Sequence, residues 1–225
     1  MSTRLSGELH EQGYAIIPDL MPGDMLTCAR EKCNSWLIDY DARKIGGGKV
    51  RGRYKKGLLP ATRIFDDLFV DPLLLETMED LFAPHGFCFS GSSIKAVVPG
   101  EDSRRMHIDD KIFSEARPRS PCMINVLVAL DDFKIETGAT HIVPGSHKWE
   151  EPVEEDVDYI SAEMKAGSAL LLHGAVWHRN RSNRTSDQER RSVSFAYRTR
   201  QVHWGTSHDV IDELPEKLRD IYCSG

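Results

Sequence analysis

His107 and Asp109 carry side chains that are typical metal ligands, and they stand two positions apart in the sequence. On a β-strand, residues i and i+2 point to the same face, so this imidazole and this carboxylate would converge on one point. The pair alone is weakly specific, because a histidine and an aspartate at this spacing also arise by chance. A third ligand from elsewhere in the chain is needed before the pair predicts a metal site.

A histidine at the end of an apolar segment can supply that third ligand. Residues 167–172 are largely apolar and lead, through His173 and a second short strand, to His178. Two histidines and one carboxylate that leave the other positions of an octahedron open form the facial triad of non-haem Fe(II) oxygenases. His173 stays an alternative ligand, although it stands five residues before His178, so the two side chains of an uninterrupted strand would face opposite ways.

An arginine that follows His178 has the chemistry to hold an acidic cosubstrate, because its planar guanidinium matches a carboxylate. In the predicted strand 190–197, Arg190 shares one face with Ser192 and Ser194, whereas Arg191 shares the other face with apolar residues. A polar face is the better lining for a cosubstrate pocket. Strand parity therefore favours Arg190 over Arg191.

Together with neighbouring motifs, these residues resemble the phytanoyl-CoA dioxygenase-like family of Fe(II)/2-oxoglutarate-dependent oxygenases. The motifs that carry the resemblance are, in chain order, EQGYAIIP at 11–18, His107-x-Asp109, NVLVALDD at 125–132, GATHIVPGSH at 138–147, and then Gly167, His178, Asn183 and Arg190. Each motif alone is weakly specific. Their order across residues 8 to 200 is typical of the family.

The resemblance implies a fold and a role for each site residue. The fold is a double-stranded β-helix, a jelly roll that holds iron inside one open end. The implied Fe(II) ligands are His107, Asp109 and His178. Arg190 would bind the distal carboxylate of 2-oxoglutarate, and Thr140 and Ser192 would add hydroxyl contacts to that cosubstrate.

The resemblance also implies a reaction. With dioxygen, such enzymes couple decarboxylation of 2-oxoglutarate to oxidation of a C–H bond, by hydroxylation, desaturation or rearrangement. The expected substrate is a small molecule, either an apolar natural product of secondary metabolism such as a terpenoid or an acyl-CoA. Related halogenases lack the carboxylate ligand, so Asp109 argues against halogenation.

Two other functions stay open at this point. One is a catalytically silent jelly-roll protein that serves as a binding or partner subunit, and the complete triad and Arg190 weigh against it. The other is a cupin-type metalloenzyme that does not use 2-oxoglutarate. Release of succinate that depends on 2-oxoglutarate would separate the oxygenase from both.

The sequence departs from the family pattern at several positions. Ile108 stands where members often have glutamine, Leu127 where many have tryptophan, and Arg179 where many have glycine. Residues 183–190 also form a stretch that is one residue longer than usual, which keeps Arg191 as an alternative cosubstrate clamp. These departures concern the substrate and the surroundings of the ligands rather than the triad.

Helices are predicted in the first third of the chain and strands in most of the rest. Apolar residues recur with helical spacing over 23–40, and a second helix is predicted from Pro72 to about residue 82, with Asp71 as its N-cap. Short strands separated by turn residues are predicted at 87–98, 105–109, 122–131, 139–143, 168–173, 175–179 and 191–200. This order predicts an α+β fold in which N-terminal helices pack on one face of a jelly roll.

The predicted organisation is a single oxygenase domain over residues 1–225. Residues 1–85 would be mainly helical support with a basic loop, residues 86–204 the jelly-roll core, and residues 205–225 a helical tail.

Residues 44–56 form a basic segment with six cationic residues, four glycines and no acid. The glycines argue against a helix and predict a mobile loop. Two interpretations stay open, a solvated surface connection and a lid or source of cations at the mouth of the site. The sequence does not select among the cations of this segment, which include Lys49, Arg51, Arg53, Lys55 and Lys56.

Composition narrows the classes of partner. The 225 residues carry a net charge of −6, which argues against a broadly basic nucleic-acid surface. No apolar run approaches the roughly 20 residues of a membrane span, so no membrane partner is expected. The first residues lack an apolar signal region and the five cysteines show no paired spacing, so a cytoplasmic protein with reduced cysteines is expected. The chain is compact for the resembled family, which leaves room for a homo- or heterodimer that completes the site.

Overall fold

The structure, a computed structural model, describes residues 1–41, 51–103, 105–113, 115–154, 156–201 and 211–222. The helices of these residues are α1 (Ser2–Gln12), α2 (Gly23–Trp36), α3 (Asp66–Phe69), α4 (Pro72–Leu81) and α5 (Glu216–Ile221). The strands are β1 (Tyr14–Ile17), β2 (Ile38–Asp41), β3 (Arg51–Lys56), β4 (Phe87–Val97), β5 (Met123–Ala129), β6 (Thr140–Ile142), β7 (Ile160–Ala162), β8 (Ala169–His173), β9 (His178–Asn180) and β10 (Arg190–Thr199). None of the helices in these residues has the length and apolar character needed to cross a membrane.

Two antiparallel sheets form the body of the molecule. The main sheet has the order β1-β8-β5-β10-β4-β3-β2, and the smaller sheet has the order β7-β6-β9. An isolated bridge between His107 and His178 extends the smaller sheet beyond β9. A cluster of buried side chains that includes Phe133, Ile142 and Leu170 draws members from both sheets. The double-stranded β-helix predicted from the sequence is confirmed.

The helices pack on one face of the main sheet, as predicted. Alternate residues of β10, among them Val193, Phe195 and Tyr197, join a buried cluster with apolar side chains of α1, α2 and α4. The Tyr197 hydroxyl also donates to the carbonyl oxygen of Phe69, at 2.8 Å, where α3 ends. Because side chains alternate along a strand, the other residues of β10 face the interior between the sheets.

The start of α4 agrees with its sequence signal. The Asp71 carboxylate accepts hydrogen bonds from the backbone N–H groups of Leu73 and Leu74, at 2.9 and 3.2 Å. Pro72 occupies the first helical position, where a missing N–H costs nothing. The predicted N-cap is therefore confirmed.

Three strands in the first 85 residues were not predicted. β1 pairs with β8, while β2 pairs with β3 and β3 with β4, so all three belong to the main sheet. The helix predicted over 23–40 ends at Trp36, because the residues from Ile38 onward pair with β3. The prediction of a loop is wrong for 51–56, which form β3; residues 44–50 lie outside the described residues.

Two further predictions need correction. The strand predicted at 105–109 is reduced to the single bridge at His107. Cys88 is disulfide-bonded, whereas Cys28, Cys33 and Cys122 are free, so the prediction of reduced cysteines is wrong for Cys88. In the tail, a short 3₁₀ turn at Ile211–Glu213 precedes α5, as a helical end predicts.

Candidate metal centre and cosubstrate cavity

Backbone pairing brings the three predicted ligands together. The N–H of His107 donates to the carbonyl oxygen of His178, and the N–H of His178 donates to that of His107, both at 3.0 Å. The N–H of Asp109 donates to the carbonyl oxygen of Gly174 at 2.8 Å. Residues far apart in the chain are therefore fixed to one another through main-chain bonds, which do not depend on the side chains that could bind a metal.

The ligand atoms of His107, Asp109 and His178 all lie within 4.8 Å of one another. Nε2 of His107 is 3.6 Å from one carboxylate oxygen of Asp109, and Nε2 of His178 is 3.4 Å from the other. The Nδ1 atoms donate to the carbonyl oxygens of Arg105 and Val176, at 3.1 and 3.0 Å. These outer hydrogen bonds direct both Nε2 atoms toward the common centre, as in many metal sites.

The electrostatics of the triad keep Asp109 ionised. Burial alone would raise the pKa of Asp109, but His178, His107 and the amide of Asn125 outweigh it and lower the pKa to about 2. Burial and the neighbouring His178 lower the pKa of His107 to about 4. Burial alone would also lower the pKa of His178. The Asp109 carboxylate outweighs this effect, so the pKa of His178 is raised. One carboxylate and two imidazoles form a donor set that fits Fe(II).

Two contacts outside the triad hold Asp109 in place. The Asn125 amide donates to Oδ2 of Asp109. The next residue, Asp110, is buried and forms an ion pair with Arg119 at 2.6 Å. These contacts fix both the Asp109 carboxylate and the residue that follows it. They restrict the position of the carboxylate without taking the place that it would occupy at a metal.

Arg190 lies fully buried in the same cavity as the triad, which has a volume of about 660 Å³. Its Nη2 donates to Oδ1 of Asn180 at 3.2 Å, and its guanidinium lies over the Phe133 ring, 4.1 Å from the centroid. Nε and Nη1 of Arg190 and Oγ1 of Thr140 are buried without a hydrogen-bond partner in the described structure. Unpaired buried donors are costly, so this corner of the cavity fits a carboxylate ligand.

The cation of Arg190 is retained despite its burial. Desolvation lowers the pKa of Arg190 to about 10, although Glu101 and Asp131 act in the opposite direction. Ser192 also lines the cavity, on the same face of β10. The structure therefore places all three predicted cosubstrate residues, Arg190, Thr140 and Ser192, around one cavity with the triad.

Arg191, the alternative clamp, does not line this cavity. Its guanidinium forms two hydrogen bonds with Asp131, both at 2.8 Å, and a third with Sγ of Cys33 at 3.1 Å. It thus belongs to the contact between β10 and α2 on the helical side of the sheet. Arg190 and Arg191 therefore lie on opposite faces of β10, as strand parity predicts.

His173, the alternative ligand, also lies away from the triad. It is buried beside His147, with ring centroids 4.8 Å apart, and its Nδ1 accepts from the N–H of Ala175 at 3.1 Å. Burial is the main cause that lowers the pKa of His173 to about 3. This histidine packs in the interior and stays neutral.

Several residues of the cavity had no signal in the sequence. Asn180 contacts Arg190, and Lys95 forms an ion pair with buried Glu101 at 3.6 Å. Asn125 belonged to a recognised motif, but its contact with Asp109 was not predicted. Each of these contacts depends on the tertiary arrangement of the chain, which the sequence pattern alone does not specify.

The chain is similar in sequence to a known family and to several known proteins. The sequence profile of the family described as Phytanoyl-CoA dioxygenase (PhyH) matches residues 9–192. Dioxygenase cdmA of Talaromyces verruculosus is 29% identical over 195 residues, which are 79% of this chain and 66% of that protein. Dioxygenase andF of Emericella variicolor is 36% identical over 163 residues, which are 67% of this chain and 55% of that protein. The chain therefore spans 55% to 66% of the length of these two relatives.

Solved structures share the fold. The epimerase SnoN from nogalamycin biosynthesis, in complex with Fe³⁺, α-ketoglutarate and nogalamycin RO, has a TM-score of 0.69 and 19% identity, covering 88% of this chain and 83% of SnoN. HygX from Streptomyces hygroscopicus, with nickel and 2-oxoglutarate bound, has a TM-score of 0.71 and 19% identity, covering 89% of this chain and 88% of HygX. At these identities the likeness is one of fold.

Proposed function

Because the chain belongs to the phytanoyl-CoA dioxygenase family, we propose that it is an Fe(II)/2-oxoglutarate-dependent dioxygenase that oxidises a C–H bond of a small-molecule metabolite. One observation carries this proposal. A triad of two histidines and a carboxylate shares a cavity with a buried arginine, two of whose nitrogen atoms have no partner among the described residues. Metal ligands and a carboxylate receptor in one cavity are the two parts that such a reaction requires.

His107, Asp109 and His178 would hold the metal through Nε2, a carboxylate oxygen and Nε2. When bound, Fe(II) and 2-oxoglutarate supply the capacity to activate dioxygen, with release of succinate and carbon dioxide. The chain keeps Asp109 ionised and both histidines oriented through Arg105 and Val176. These contacts prearrange the three side chains that would hold the metal.

Arg190 would bind the distal carboxylate of 2-oxoglutarate in a charge-assisted, forked hydrogen bond. The Thr140 hydroxyl, which is buried and unpartnered in the described structure, supplies a further donor at the same end of the cavity. Ser192 stands two residues after Arg190 on the same strand face and lines the same cavity. Asn180 and Phe133 hold the guanidinium in place.

The proposed substrate is a natural product or an acyl thioester, and the outcome is hydroxylation, desaturation or rearrangement. The solved SnoN complex holds nogalamycin RO, which is a natural product, in a protein of the same fold. Met123 and Leu127 give part of the cavity wall an apolar surface suited to a hydrocarbon body. Completion of the site by a partner chain stays a prediction.

Anaerobic titration tests the proposed function. Fe(II) and 2-oxoglutarate added together should produce a weak visible charge-transfer band, and admission of air should then yield succinate. His178→Ala should abolish the band, because it removes one ligand. His173→Asn, the matched control in a nearby strand, should retain it.

The alternatives predict different results from the same titration. A silent jelly-roll protein would give neither band nor succinate. A metalloenzyme that does not use 2-oxoglutarate would bind metal without the band. A band that survives His178→Ala and disappears in His173→Asn would show that the third ligand had been assigned wrongly.

A further inference from the structure

The cavity continues from the triad across the main sheet to β3. Lys56 of β3 pairs with Ser93 of β4, and Ser93 pairs in turn with Ser194 of β10. All three residues line the cavity. Neighbouring strands lie about 4.8 Å apart, so this row extends roughly 10 Å from β10 toward the β3 side of the sheet.

This row is separate from the predicted cosubstrate end. Ser194 stands four residues after Arg190 on β10, which corresponds to roughly 13 Å along a strand. Lys56 lies two strands farther across the sheet. The backbone positions of Arg190 and Lys56 are therefore separated by more than the length of a five-carbon diacid, which leaves part of the cavity available to another molecule.

The alternation of β3 separates the described cations of the basic segment. Tyr54 and Lys56 line the cavity, whereas Arg53 lies on the other face and forms an ion pair with Glu189 at 3.1 Å. Lys55 also lies on that other face. Within the described parts of the chain, Lys56 has no acidic partner. Among the cations of β3 whose side chains the structure describes, Lys56 is therefore the one that lines the cavity.

The cavity carries an excess of positive charge. Its described lining includes four cations and a single acid, Asp109 of the triad; the cations are Lys56, Lys95, Arg190 and Arg198. Glu101 offsets part of this charge through its ion pair with Lys95. Fe(II) and 2-oxoglutarate carry opposite double charges, so their binding leaves the excess in place. A cavity of this kind concentrates anions.

We infer that the substrate is a carboxylic acid with an apolar body, and that Lys56 binds its carboxylate several carbon atoms away from the bond that is oxidised. The apolar body would lie against Met123 and Leu127 of β5, on the triad side of the cavity. The inference rests on the proposed function, since it names the substrate class of the same site.

Binding measurements on matched pairs of compounds test this inference. The probes are straight-chain, aromatic and terpenoid monocarboxylic acids, each with its methyl ester, titrated calorimetrically into the full chain loaded anaerobically with Fe(II) and 2-oxoglutarate. At least one acid should bind about fivefold more tightly than its ester, the effect expected of one partly exposed ion pair. Lys56→Met should remove this preference. Lys55→Met, the adjacent control on the opposite face of β3, should retain it.

The outcomes separate this inference from the function on which it rests. Failure of the charge-transfer band would overturn the proposed function itself. With the band present, the inference about Lys56 is overturned if every acid binds like its ester, if no acid binds, or if Lys56→Met and Lys55→Met behave alike. If only acyl-CoA thioesters bound, the positively charged side chains of the cavity would be binding phosphate groups instead. That result would also overturn the inference about Lys56.

Discussion

Arg190 and Arg191 are adjacent in the sequence, yet they lie on opposite faces of β10 and differ in their hydrogen-bond partners. Arg191 is saturated by Asp131 and Cys33, so its interactions are those of a structural ion pair. Arg190 is buried with two nitrogen atoms unpaired in the described structure. A buried cation with spare donors stabilises an incoming carboxylate far more than an already paired one can.

Removal of Arg190 should therefore weaken 2-oxoglutarate binding specifically. Arg190→Ala leaves the distal carboxylate without its partner, at a cost of about 2–5 kcal/mol, which is an increase in Kd of at least about thirtyfold. Arg191→Ala should change this Kd little. Anaerobic titration of both variants with 2-oxoglutarate measures the difference, with Fe(II) binding followed separately. The reverse ranking of the two variants would contradict the assignment of the clamp.

Residues whose position follows from strand alternation could be predicted from the sequence. Arg190 faces the cavity because it alternates with apolar core residues of β10. His107 and Asp109 converge as their spacing predicts, although their segment forms only the single bridge at His107. Asn180 and Glu101 could not be predicted, because their contacts with Arg190 and Lys95 depend on how the chain turns between and after the strands. Strand alternation carries no signal for such contacts.

At the scale of elements, the turn between β8 and β9 fixes the triad through one glycine. The Gly174 carbonyl oxygen accepts from the N–H groups of Asp109 and Asp110, at 2.8 and 3.1 Å, and its own N–H donates to Met123 at 2.8 Å. A Cβ at this position would lie 2.9 Å from the Cβ of Asp110 and 3.1 Å from that of Met123. The close approach of three backbone segments therefore requires glycine here.

Gly174→Ala should accordingly reduce both stability and metal binding. Overpacking of this kind costs roughly 1–3 kcal/mol, and a shift of the adjacent peptide would displace the Asp109 carboxylate. Chemical unfolding and an Fe(II) titration measure the two effects. Gly7→Ala is the control, because a Cβ on Gly7 of α1 meets nothing within 4 Å and alanine favours a helix. Unfolding of Gly174→Ala at the same denaturant concentration as Gly7→Ala would argue against this role.

The elements that sequence patterns predicted poorly are those defined by long-range pairing. The glycines and cations around β3 are typical of a loop, but pairing of Arg53 to Lys56 with β4 makes this segment a strand. Likewise, Tyr14–Ile17 is too short to predict by itself and becomes β1 through its pairing with β8. α4 was predicted accurately, because its N-cap and its apolar periodicity are local signals.

On the scale of the whole molecule, buried histidines link stability to pH. His173 and His147 lie together where α1, β8 and the turn before Trp149 meet, and Nε2 of His147 donates to the carbonyl oxygen of His10 at 3.1 Å. Burial is the main cause that lowers the pKa of His173 to about 3, with His147, Arg119 and His10 adding to it. Burial likewise lowers the pKa of His147, against the effect of its hydrogen bond to His10.

Stability should consequently fall as the pH drops from about 6.5, the ordinary value for histidine, toward 3. Both pKa values are lowered by folding, so the unfolded chain takes up these protons first. His173 removes about 1.4 kcal/mol of unfolding free energy per pH unit in that window, and the lowered pKa of His147 acts in the same direction. The double variant His147→Gln, His173→Asn retains a donor at position 147 and an acceptor at position 173 but cannot titrate. Urea unfolding between pH 7 and pH 5 should therefore show a shallower loss of stability for this variant than for the wild type.

His85→Asn, at an exposed position, should leave the wild-type slope unchanged. Equal slopes for the wild type and the double variant would mean that other groups account for the acid sensitivity of the fold.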